Sequence, residues 1–421
     1  MKKLFCLFPL LVVFLSLQGQ ERPLKLRPDA FPPVKDQSDS IALIMASTVD
    51  EMAGWDRYPT YQTYLNMMQQ WAQKYPSLCH LDTIGTSVRG RLILSMYITG
   101  SEDNDLYRPE FFYSSTMHGD EVTGYVMMLR LIDTLLKGYG TNMQYTQLLN
   151  TTRISINPLA NPDGTYNGGD NTVRYAMRYN ARFVDLNRNY PDPFGTPPMD
   201  DEQEENTAMI AYVSAHHFQM SANLHGGSEV INYPWDSFTS SENPHPESEW
   251  WQAVGKRFVD TLRTYSNSHF RNVNNAGVIA GGDWYVISNG RQDYMNHYHN
   301  CRELTMEIST DKKLSSDQLP EYWRFLQHSL VNYIAEIHTF ASGTTAVDPE
   351  PQAVGLVVYP NPTHDRLFLT EPAVDDLFVF DCRGQRLLCF PQGCSVLDIS
   401  SLQQGVYMLR CGTHVVKVVK R

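Results

Sequence analysis

Between residues 61 and 75 the apolar side chains Tyr61, Tyr64, Leu65, Met68, Ala72 and Tyr75 recur at i, i+3, i+4, i+7, i+11 and i+14. That spacing lines one face of a 3.6-residue helix, and Pro76 ends it. Runs of another kind follow. Leu92–Ile98, Glu110–Ser114 and Arg153–Asn157 are short and apolar, and predict strands. Val122–Leu136, between the last two, predicts a buried helix, and Ser221–Leu224 a further strand ahead of a glycine turn. Strands alternating with helices predict an α/β domain built on a largely buried sheet.

The pattern changes near residue 342. Residues 343–354 are linker-like by composition, with Gly343, two threonines and two prolines. Beyond them, short β-type runs (356–359, 367–369, 377–380, 406–409, 415–419) predict a small all-β module over 355–421. At the other end Met1-Lys2-Lys3 precedes an apolar stretch from Leu4 to Leu17, with Gly19 as a small residue near a cleavage point. This predicts a signal peptide over 1–19, too short for a bilayer span of roughly 20 apolar residues. Residues 20–50 are polar and proline-bearing and read as a leader, which leaves 51–342 as the main domain.

Apolar residues make up 42% of the 421 and charged residues 19%, as in packed globular proteins. The formal charge of -12 argues against nucleic acid and anionic membranes and suits cationic ligands. Of six cysteines beyond Cys6, four (Cys382, Cys389, Cys394, Cys411) crowd the tail, while Cys79 and Cys301 lie apart. Their pairing is open, and none forms a CxxC zinc knuckle.

Four segments carry chemistry. His118-Gly-Asp-Glu121 follows a predicted strand, so an imidazole and a carboxylate can turn toward one point. His225 follows another strand about 100 residues on, and supplies a third N/O donor of the kind catalytic zinc takes, with a position left for water. Asp185-Leu-Asn187-Arg188, with Arg178 upstream, offers guanidinium forks that match a carboxylate. Glu307 stands in an apolar strand-like run, where a carboxylate is costly without a partner or a function.

Taken in order, His118-x-x-Glu121, Asp185-Leu-Asn-Arg188, His225 and Glu307 resemble the funnelin (M14) family of zinc metallocarboxypeptidases over about residues 55–340, with Tyr285, Asp293 and Glu307 at the family's mutual spacing. The resemblance implies a carboxypeptidase-like three-layer α/β domain with a mixed, mostly parallel sheet flanked by helices, and one Zn2+ held by His118, Glu121 and His225. It implies Asp185 as partner of a ligand histidine, Asn187, Arg188 and Tyr285 as the clasp for a terminal carboxylate, Arg178 as polariser of the scissile carbonyl, and Glu307 as general base. Arg178 stands ten residues before Arg188, as in the regulatory N/E-type branch. Gln292 and Asp236, eleven residues after His225, fit that branch's preference for C-terminal Lys or Arg, because a buried cation needs an opposite charge.

No inhibitory pro-domain and no transthyretin-like domain are apparent. Instead Tyr359-Pro-Asn-Pro362, Gly405-Val-Tyr-Met-Leu409 and the Lys-Val-Val-Lys-Arg421 end resemble the C-terminal sorting domain of type IX secretion in Bacteroidota. The expectation is therefore a secreted or cell-surface monomer with a small β-sandwich tail and no transmembrane segment in its mature form. Its partners are peptide or protein C-termini and the type IX machinery, with no nucleic acid. The same residues leave open cell-wall peptides or acyl-amino acids as substrates, or a non-catalytic binding protein.

Overall fold

The computed structural model describes residues 41–100, 108–339, 358–369, 372–381, 385–412 and 414–421. The signal peptide, Cys6, Cys382, the linker and most of the leader lie outside them. The chain divides into two compact units, Met1–Ser342 and Gly343–Arg421.

The first unit opens with β1 (Met45–Ala46), β2 (Tyr58–Pro59), α1 (Tyr61–Lys74), β3 (Cys79–Thr86), β4 (Leu92–Ile98) and β5 (Glu110–Ser115). Then come α2 (Thr123–Gly138), α3 (Met143–Thr151), β6 (Arg153–Asn157), α4 (Pro162–Thr165), α5 (Glu204–Ala215), β7 (Phe218–His225) and β8 (Ser228–Tyr233). The unit closes with α6 (Ser248–Arg263), β9 (Val278–Ala280), α7 (Gly281–Trp284), α8 (Arg291–His299), β10 (Arg302–Ser309) and α9 (Leu319–Ala335). Thr60 caps α1 by accepting the Thr63 N–H.

Eight strands form one twisted sheet in the order β3-β4-β6-β5-β7-β10-β8-β9. Its centre, β6-β5-β7-β10, is parallel. Alternation along the strands fills both faces. Phe111 and Tyr113 join the core beneath α1, α2, α6 and α9, whereas Phe112 joins a second cluster with Tyr212 and Val213 of α5 and Met295 of α8. Each such fully buried side chain contributes about 1.5–3 kcal/mol relative to exposure. Helices on both faces of a mixed sheet make the three-layer α/β architecture expected.

Packing on the main domain begins before residue 51. The last residues of the stretch read as leader pack on it: Ala46 is fully buried, Leu43, Met45 and Val49 pack against the core, and β1 pairs with β2. The polar composition of this stretch hid these four apolar anchors. Among the described residues no helix is long and apolar enough to cross a membrane.

The second unit is a sandwich of two antiparallel sheets. One holds β11 (Val358–Tyr359), β12 (Arg366–Leu369) and β15 (Val396–Asp398). The other holds β13 (Leu377–Phe380), β14 (Arg386–Phe390), β16 (Gly405–Cys411) and β17 (His414–Lys420). Both contribute to one apolar cluster that includes Leu367, Leu377, Leu397 and Leu409. Cys79, Cys301, Cys389, Cys394 and Cys411 are free thiols.

Candidate metal centre

Strand order and direction gather the site. Strands β5, β7 and β10 are neighbours and parallel, so their carboxyl ends open at one edge, where ligands bind in such sheets. His118 and Glu121 sit on the loop leaving β5, His225 ends β7, and Glu307 on β10 is in register with His225.

The β5 loop turns sharply. Thr116 adopts φ 62, a left-handed conformation rare for a β-branched residue and held by its surroundings. The Asn161 amide donates to the Met117 carbonyl, Thr165 Oγ1 donates to the Gly119 carbonyl, and the Gly119 N–H donates to the Arg178 carbonyl. Gly119 is required there: a Cβ would stand 2.4 Å from the backbone carbon of Gly164.

The result is a cluster of three buried donors. His118 Nδ1 lies 3.0 Å from His225 Nδ1 and 3.1 Å from Glu121 Oε1, and His225 Nδ1 lies 2.8 Å from Glu121 Oε2. Ligand atoms of all three fall within 4.8 Å of one another. Tetrahedral zinc, with bonds of about 2.0–2.1 Å, sets its ligand atoms about 3.3 Å apart, so the spacing is close to a zinc site. The donor set, two imidazoles and a carboxylate, is that of a hydrolytic zinc site with one position left open. Buried polar atoms without a partner flank it, among them Glu307 Oε2, Asp120 Oδ1 and Asn223 Oδ1. The residues fit the metal.

Charge at the cluster is balanced by neighbours. Burial would raise the Glu121 carboxyl, but His118, Lys312 and His225 outweigh it and hold it well below the usual range. Burial pushes His225 down to about 4, which keeps a lone pair available. Asp185 Oδ1 faces His118 Nε2 at 3.1 Å, and Asp185 Oδ2 accepts from Arg178 Nε and Nη2 at 3.0 and 2.9 Å. Arg178 Nη1 reaches to 3.1 Å from His118 Nδ1. Glu307 is buried, and burial together with Glu121 holds its carboxyl well above the usual range.

A second group of residues lies beside the cluster. Arg188 Nη1 donates to the Asn187 carbonyl, and burial lowers the guanidinium from its usual value. Asn187 Oδ1 is already committed to the Arg291 N–H. Tyr285 is half-buried; desolvation raises its phenol, which also feels the charges of Glu307, Asp236 and Arg188. Asp236 Oδ1 accepts from Gln292 Nε2 at 2.8 Å, and the same nitrogen reaches Asn232 Oδ1 at 3.1 Å. Gln292 Oε1 is buried and unpartnered. Burial and Asp293 raise Asp236 well above the usual range, and burial pushes Asp293 up to about 6. Gly281 leaves the room for this carboxylate, since a Cβ there would stand 1.9 Å from Asp236 Oδ1.

The residues read from the sequence thus lie in or beside one cluster at the carboxyl ends of β5, β7 and β10. Sequence reasoning missed Lys312, whose Nζ lies 3.2 Å from Asp120 Oδ2 and 3.3 Å from Glu121 Oε1. It also missed Asn232, Gly281 and Asn223. A lysine just beyond the strand of Glu307 was the one available signal for Lys312, and it is a generic one.

Comparison with known proteins gives the family and the fold. Residues 64–328 match the zinc carboxypeptidase family model, and residues 357–421 match the secretion system C-terminal sorting domain. Carboxypeptidase D of Rattus norvegicus is 32% identical over 301 residues, which cover 68% of this chain and 21% of that protein. Carboxypeptidase M of Mus musculus is 34% identical over 284 residues, covering 65% of this chain and 64% of that one. The chain therefore spans about a fifth of the first relative. The crystal structure of thrombin activatable fibrinolysis inhibitor aligns with TM-score 0.58 at 17% identity, over 68% of this chain and 75% of that one. Carboxypeptidase A from Helicoverpa armigera gives 0.56 at 20% identity, over the same shares. These two likenesses establish the fold. The sorting domain directs the protein through type IX secretion to the cell surface or beyond it. The chain belongs to the zinc carboxypeptidase family.

Proposed function

We propose that this protein removes single residues from peptide C-termini, with a preference for Lys and Arg, using a zinc ion held by His118, Glu121 and His225. The observation that carries the reading is the convergence of these three donors, buried, beside a carboxylate in register with His225. The bound metal would supply Lewis acidity to the scissile carbonyl and to a water molecule.

The chain's own residues do the rest. Glu307, buried and with one oxygen unpartnered, is the base that takes a proton from water and returns it to the leaving amine. Its raised proton affinity suits both halves of that task, and Lys312 and Arg178 pull it back toward ionisation. Arg178 stands beside the ligands and stabilises negative charge developing on the carbonyl oxygen. Arg188, Asn187 and Tyr285 clasp the substrate's terminal carboxylate, which limits cleavage to the last bond. Asp236, held by Gln292, sits where the final side chain is received, and its carboxylate offsets the desolvation of a Lys or Arg head.

Hydrolysis of matched peptides ending in Lys, Arg, Phe, Leu and Glu, with and without a zinc chelator, tests this. Chelator-sensitive release of Lys and Arg alone is expected. Release of apolar residues would retain the enzyme class and discard the role of Asp236. No release from any of them, with zinc bound, would shift the reading to cell-wall peptides or acyl-amino acids.

A further inference from the structure

We propose that Asn223 is a positioning residue of the metal centre, whose side-chain oxygen accepts the Nε2 proton of His225 and so directs Nδ1 of that ring to the metal. This rests on the reading of His118, Glu121 and His225 as zinc ligands, and concerns how one of them is held.

Asn223 stands two residues before His225 on β7, so the two side chains rise from the same face of the sheet. It is 1% exposed. Its Nδ2 lies 2.9 Å from His225 Nε2 and 3.8 Å from Met117 Sδ, while its Oδ1 is buried without a partner. A buried amide oxygen with no donor is costly, and each such case asks for a reason. The reason lies in the ring. An imidazole that ligates through Nδ1 keeps its proton on Nε2, which then needs an acceptor. The amide ends have almost the same shape, and a half-turn of the group exchanges them. Exchanged, Oδ1 takes the place facing Nε2 and accepts its proton. One rotation thus gives the orphaned oxygen a donor and fixes the tautomer, and the amide nitrogen takes the place the oxygen leaves.

The other ligand histidine has the same support in a different chemistry. His118 Nε2 faces Asp185 Oδ1 at 3.1 Å, a carboxylate rather than an amide. Around the cluster stand Glu121, Glu307, Asp120 and Asp185, so a neutral acceptor behind His225 orients it without adding a further negative charge.

The test uses the purified full chain, Asn223→Leu and Asn223→Asp. It measures zinc content, zinc Kd by competition with a chelator, and NMR of the histidine ring nitrogens. About one zinc per chain is expected for the unmodified protein, with the His225 proton on Nε2 and slow to exchange. Asn223→Leu removes the acceptor at similar size and should raise Kd roughly 10- to 100-fold. Asn223→Asp keeps an acceptor in place and should bind zinc at least as tightly as the unmodified protein. A Kd for Asn223→Leu within about twofold of the unmodified protein, or a freely exchanging His225 proton, would overturn the role of Asn223 and leave the metal centre standing. An unmodified chain that takes up no zinc removes both. Should Asn223→Leu not fold, the Asp variant and the ring spectrum decide.

Discussion

Glu307 gives the plainest residue-scale prediction. Glu307→Gln keeps shape and polarity but cannot take up a proton, so zinc content should be unchanged while kcat falls by roughly 10²- to 10⁴-fold. Turnover equal to that of the unmodified enzyme would remove Glu307 from the mechanism. Asp236 predicts a pH effect. Burial and Asp293 raise its proton affinity, so the carboxylate forms only above the ordinary aspartate range. A Lys or Arg side chain is attracted by the ionised form. The ratio of kcat/KM for an Arg-ending peptide to that for a Leu-ending one should therefore rise as pH rises through the titration of the Asp236–Asp293 pair. Glu307 serves both peptides alike and cancels in the ratio. A ratio flat across that window would return Asp236 to a structural role.

Among elements, the loop from β5 to α2 decides whether the ligands meet. Gly119 lies between two of them, and a Cβ there would run into the backbone of α4 at Gly164 and Thr165. Gly119→Ala should displace His118 and Glu121 and lower zinc occupancy and thermal stability together; full zinc content with an unchanged melting temperature would contradict this. The elements differ in how well local pattern announces them. β4 and β6 have the bounds read from the sequence, since β-branched and other apolar residues cluster there and nearly every position is buried. Helix α1 is where the periodicity put it, but its buried face is turned slightly. Met67 and Trp71 are buried, while Ala72 and Tyr75 of the predicted stripe are half-buried. The packed sheet selected the larger Trp71 side chain, and periodicity alone does not rank two overlapping stripes. In the tail, β14 and β15 escaped notice because β14 buries none of its residues fully and β15 only one, Leu397.

At the scale of the molecule, each unit closes its own apolar core, one around the eight-stranded sheet and one within the small sandwich. A chain ending at Ser342 should keep its zinc, its peptide hydrolysis within about twofold, and its main unfolding transition. The same truncation in the producing cell should stop delivery to the outside. Loss of hydrolysis by the purified truncated protein would show that the tail supports the catalytic unit. The candidate donor set was legible because its residue types are scarce in apolar strands and their order along the chain is distinctive. His118 and His225, 107 residues apart, come within 3.0 Å only because β5 and β7 are neighbours in the sheet. Lys312 and Asn223 escaped notice because a lysine after a strand and an asparagine within one carry no signature of their own.

By itself, the amino-acid sequence determined the periodic elements, the two-part organisation and the donor set, all of which depend on the type and spacing of residues along the covalent chain. Only the tertiary structure decided the balance of charge at the cluster, the depth at which Asp236 and Glu307 lie, and the place of Asn223 beside the His225 ring. Those depend on desolvation and on contacts between distant segments, set by strand order and packing rather than by any local run of residues.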